Sequence, residues 1–65
     1  MQPCLDRNGD KLNIGATVEV QHRHGWRLAR VIELRPGLRR AIVVRMEAPP
    51  HGLVAHAPEY VRRVW

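Results

Sequence analysis

Three features of this 65-residue sequence predict an all-β fold, a single five-stranded barrel with a short helical turn before the last strand. Short β-branched and apolar runs recur, turn signals separate them at close intervals, and no segment keeps helical periodicity for more than a turn. The length allows one domain, and a chain of this size buries only about 60% of the surface its unfolded form exposes. The core is therefore small. The single cysteine, Cys4, excludes an internal disulfide, so self-association or a partner becomes a further source of stability.

Residues 1–13 read as an N-terminal tail and turn, with Asp6-Arg7-Asn8-Gly9-Asp10 as the turn and Cys4 in the tail; residues 14–65 read as the barrel. Thr17-Val18-Glu19-Val20-Gln21 alternates polar and apolar residues, which predicts a half-buried strand with Val18 and Val20 inward. His22-Arg23-His24-Gly25 is a loop, and Trp26 opens the next strand. Trp26 to Arg35 and Leu38 to Met46 form a hairpin around Pro36-Gly37, where proline presets φ and glycine accepts a positive one. Glu47-Ala48-Pro49-Pro50-His51-Gly52 is a loop, because consecutive prolines donate no ladder hydrogen bonds. Leu53 to Ala57 is a short strand, Pro58-Glu59-Tyr60 fits one helical turn with proline at its start, and Val61 to Trp65 closes the sheet.

The register of the hairpin decides which side chains share a face. With Pro36 and Gly37 as its only loop residues, Glu33 faces Arg40 and Leu28 faces Arg45. Ala29, Val31, Ile42, Val44 and Met46 then make a core face, with Arg27 at one end and the Glu33 and Arg40 pair at the other. The opposite face carries Leu28, Ile32, Leu34, Ala41 and Val43, interleaved with Arg30, Arg39 and Arg45. Either a long bent strand buries each face in a different half of the barrel, or this mixed face is an exposed contact surface. A slip of one residue exchanges the two faces.

Eleven basic residues against six acidic ones give a formal net charge of +5, which favours polyanionic partners. Ten of the eleven are arginine, a skew that genomic base composition produces as readily as selection for binding. The N-terminus has neither the basic start nor the apolar run of a secretory signal, and no apolar stretch approaches the roughly 20 residues that cross a bilayer. A cytoplasmic protein without membrane contact is expected.

Catalytic constellations are missing. The sequence has no serine, Thr17 is on a strand, and Cys4 is in the tail, so no catalytic residue is assigned. His22, His24, His51 and His56 are the one set with metal-ligand chemistry, but two in a loop and two elsewhere define no ligand geometry; no metal or cofactor is expected. Capture of a methylated cation needs several ring faces, and the chain has only Trp26, Tyr60 and Trp65.

Ile14-Gly15-Ala16-Thr17-Val18-Glu19-Val20, Gly25-Trp26-Arg27-Leu28-Ala29-Arg30-Val31 and Pro58-Glu59-Tyr60-Val61-Arg62-Arg63-Val64 resemble the SH3-like barrel superfamily, in particular its Tudor-, agenet- and KOW-type modules. The resemblance implies the barrel and a binding role, since such barrels host nucleic-acid, peptide and methylated-side-chain recognition. Met46-Glu47-Ala48-Pro49-Pro50-His51-Gly52-Leu53-Val54, followed by Pro58 and Val61-Arg62-Arg63-Val64, is similar to the closing segment of the type II, plasmid-borne dihydrofolate reductases. Those are SH3-like homotetramers whose substrate-binding core is Val-Gln-Ile-Tyr before a proline. This chain reads Val54-Ala55-His56-Ala57-Pro58, without the glutamine and tyrosine, so the resemblance implies fold and oligomerisation and not the reductase activity.

The leading expectation is a non-enzymatic basic module that contacts nucleic acid electrostatically through Arg30, Arg39 and Arg45, with Arg62 and Arg63 extending the surface. The alternative is a protein-interaction or self-assembling homo-oligomeric module whose interface is Leu28, Ile32, Leu34 and Val43.

Overall fold

The computed structural model describes residues 4–23 and 25–64. His24 and the far end of the last predicted strand at Trp65 lie outside the described residues, as do residues 1–3. Five strands form one open antiparallel sheet: β1 (Thr17–His22), β2 (Gly25–Leu34), β3 (Ile42–Met46), β4 (Leu53–His56) and β5 (Val61–Arg63), in the order β4-β3-β2-β1-β5. One turn of 3-10 helix, Pro58–Tyr60, leads into β5 with proline at its start. Among the described residues no helix is long and apolar enough to cross a membrane.

β4 and β5 are the two edges, yet only Ala57–Tyr60 separate them along the chain. In a flat sheet four strand spacings of about 4.8 Å put the edges about 19 Å apart, which is the whole reach of so short a link. The antiparallel order also makes β4 and β5 run in the same direction, so the link must climb back along the strands as well. Strong coiling of the sheet satisfies both demands.

The β2–β3 register differs from the sequence expectation. Ala29 faces Met46, Arg30 faces Arg45 and Val31 faces Val44; the ladder then shifts, and Glu33 faces Val43 and Leu34 faces Ile42. The predicted turn does form, with Gly37 at φ +89 and the Leu38 N–H donating to the Arg35 carbonyl at 3.2 Å. It does not continue into a ladder. A proline followed by a positive-φ glycine makes a turn of the type that splays its flanking strands, whereas tight hairpins need the mirror-image types. The chain instead runs on to Ala41, whose carbonyl accepts the Arg35 N–H at 2.7 Å, so residues 36–40 form a wide loop.

The resulting offset near Val31 is two residues, an even number, so the faces do not exchange there: Ala29, Val31 and Val44 are buried as expected and Met46 packs against them. Beyond Val31 a β-bulge leaves Ile32 as an extra residue, which turns the alternation over. Leu34 thereby joins Ile42 inside, a correction to its place on the outer face.

Residues 4–13, expected as tail and turn, contribute to the core. Cys4 and Leu12 pack with Val18, Val20, Ala29, Val31, Ala41, Ile42, Val44 and Val61. They reach it because Leu5 bridges Lys11, with the Leu12 N–H donating to the Cys4 carbonyl, around a turn that Gly9 closes at φ +84. The Asp6 carboxylate, 4% exposed, fastens this small hairpin to β5: Oδ1 accepts from the Asn8 and Asp10 N–H groups and Oδ2 from the Arg63 N–H at 2.7 Å. Burial alone raises its pKa, but the N–H donors of Arg63, Asp10 and Asn8, together with the Arg63 charge, bring it below the ordinary 3.8.

Candidate nucleic-acid interface

Opposed residues of a sheet share a face, so the registers map the outer surface. One row runs from Leu53 through Arg45 and Arg30 to Thr17, across four strands. The next runs from Leu28 through Glu19 to Arg62. A third joins Glu33, Val43 and Ala55. Arg30 and Arg45 are thus directly opposed, both exposed, in a shallow depression lined also by Ile32, Met46, Glu47 and His51. Glu47 lies 3.4 Å from the Arg30 guanidinium, and its backbone N–H donates to the Leu28 carbonyl. His51 is turned back onto its own loop, with Nδ1 3.1 Å from the Met46 carbonyl oxygen.

Arg39 does not join that pair. The wide 36–40 loop carries it towards the 3-10 turn, between a groove beside Cys4, Leu5 and Pro58 and another beside Val54, His56 and Tyr60. Arg62 is on the outer face but already engaged: Nε donates to Glu19 at 2.9 Å, and the guanidinium lies 4.1 Å from the centre of the Trp26 ring. Arg7 sits over the same ring at 5.1 Å, a contact that sequence reasoning misses because Arg7 falls in the segment expected as tail and turn. Arg63 faces Val18 and so belongs to the opposite face, where Nη1 donates to the Lys11 carbonyl.

The expected apolar interface is also redistributed. Leu28 and Ile32 are exposed on the outer face, at 50% and 38%, Leu34 is turned inward, and Val43 is 8% exposed between Glu33 and Ala55. Leu53, 65% exposed at the β4 edge, takes the position that Leu34 vacates. Its exposure has no sequence signal, because a short apolar run reads equally as a buried strand.

No protein-family model matches this chain, and no curated protein is similar to it. The charge pattern therefore carries the functional argument. Glu19, Glu33 and Glu47 are set against Arg62, Arg35 and Arg30 respectively. Among the described residues Arg39, Arg40 and Arg45 have no carboxylate partner.

The histidines do not assemble into a ligand set: among the described residues no three His, Cys, Asp or Glu side chains come together. His56, opposite Ile42 at the end of β4, has a buried Nε2 with no hydrogen-bond partner among those residues. Its pKa is held below the ordinary 6.5 by burial and by the charges of His22 and Arg40.

Proposed function

We propose that the chain is a non-enzymatic SH3-like barrel module that contacts nucleic acid electrostatically through its outer sheet face, with Arg30 and Arg45 at the centre. The barrel reading draws on the strand order β4-β3-β2-β1-β5, the 3-10 turn before β5 and the four-residue link between the two edges. The binding reading rests on one observation: two arginines stand directly opposed on an exposed face, and only Arg30 has a carboxylate against it. Like charges opposed across a ladder repel. A phosphate placed between them relieves that repulsion and accepts charge-assisted hydrogen bonds from both guanidinium groups.

The neighbours of the pair are aliphatic, and Trp26 is covered by Arg62 and Arg7, so the face offers little for base stacking. Contacts then go to phosphates and carry almost no sequence information. Fluorescence anisotropy against labelled DNA and RNA at low salt tests the reading. Arg30→Ala combined with Arg45→Ala should weaken binding to both, and flatten the plot of log affinity against log salt by about 1.5 for the two phosphates lost. Failure to bind at low salt, or binding indifferent to the double substitution, removes it.

A further inference from the structure

A second basic site shares no residue with that face. The 36–40 loop, β4 and the 3-10 turn enclose a groove of about 630 Å³ lined by Arg39, Arg40, His56, Tyr60 and Gln21, with Val54 and Ala55 as its apolar wall. The volume lies in the range of small-ligand sites. Every polar side chain lining it can donate a hydrogen bond, and no carboxylate lines it. Two guanidinium groups on adjacent residues without a carboxylate partner, a phenol at 46% exposure and a carboxamide amount to a concave donor set for an anion.

We propose that this groove holds the phosphate group of a nucleotide, with Arg39 and Arg40 neutralising its charge and Tyr60 and Gln21 donating hydrogen bonds to its oxygens. His56 reports on occupancy. Its Nε2 is covered, so the ligand acts on it through the local field and not by contact. The charged groups facing the imidazole are His22 from β1 and Arg40 from the loop, and both oppose its protonation; Arg39 and Tyr60 line the same groove. An anion on Arg40 cancels part of that opposition and raises the His56 pKa towards its ordinary value. By linkage, binding tightens as the pH falls through the interval between the free and the bound values.

The test tracks the His56 ring by NMR across a pH series, with adenosine 5′-monophosphate, adenosine and inorganic phosphate as probes. The monophosphate should move the His56 titration upward by several tenths of a pH unit or more, as neutralisation of a neighbouring charge does, and adenosine should not. Inorganic phosphate should move it in the same direction. Arg39→Ala with Arg40→Ala, both exposed loop positions, should weaken the effect about tenfold, the loss expected for charge-assisted hydrogen bonds. Arg30→Ala with Arg45→Ala should leave it intact, which separates this groove from the sheet face. Short oligonucleotides with and without a 5′-phosphate then distinguish a terminal phosphate from a backbone diester, and an effect with either supports the site. A His56 titration unmoved by the monophosphate, moved equally by adenosine, or still moved in the Arg39 and Arg40 double variant overturns the proposal.

Discussion

Two side chains make the fold sensitive to acid, and in both the sign comes from a lowered pKa. Asp6 is a buried carboxylate that accepts three backbone N–H groups and ties the N-terminal hairpin to β5. Because its pKa in the fold lies below 3.8, the unfolded chain takes up the proton first. The stability it contributes is present above that value and is lost as the pH falls below it. His56 behaves in the same direction at higher pH. Its folded pKa lies below 6.5, so acid protonates the unfolded chain first there too. Urea unfolding measured across pH should lose stability in two steps, one below neutrality and one in strong acid. Asp6→Asn should cost about 2 kcal/mol at neutral pH, since an amide cannot accept all three donors at one buried point, and the acid step should vanish in that variant. A lower step that persists unchanged would assign it to another carboxylate.

At the scale of elements, strand alternation is readable in the sequence and strand partnership is not. Val18 and Val20 sit inward because Thr17 to Gln21 alternates strictly, and Ala29, Val31, Ile42, Val44 and Met46 belong to one core face because the slip in the hairpin is even near Val31. Pro36-Gly37 specifies a turn but not the pairing beyond it, and the wide loop separates Arg39 from Arg30 and Arg45. The bulge at Ile32 has no signal, since an extra residue in an apolar run leaves composition and spacing almost unaltered. Nor does the N-terminal hairpin, whose two core residues, Cys4 and Leu12, are separated by a polar turn. The bulge makes a direct prediction. An unbulged ladder puts Ile32 and Leu34 on the same face, whereas the observed one puts Ile32 outside and Leu34 against the core. Leu34→Ala should therefore destabilise by about 2 kcal/mol, and Ile32→Ala by no more than about 0.5 kcal/mol. Equal losses in chemical denaturation would restore the regular hairpin.

For the whole molecule the question is what covers the outer face. Leu28, Ile32 and Leu53 leave apolar surface around Arg30 and Arg45, so the same face that suits phosphate also suits a second copy. Charge decides between them. Two copies docked face to face would bring four guanidinium groups together, and each chain carries a formal net charge of +5, so self-association is opposed most strongly when screening is weak. Nucleic acid binding has the opposite dependence and is tightest at low salt. Light scattering should accordingly give the 7.5 kDa monomer mass at low ionic strength, with any dimer emerging only as salt rises and disappearing on Leu28→Lys or Leu53→Lys. A dimer already complete at low salt and broken by those substitutions would mean that copies of the chain cover the face, and the phosphate reading of Arg30 and Arg45 would fall with it.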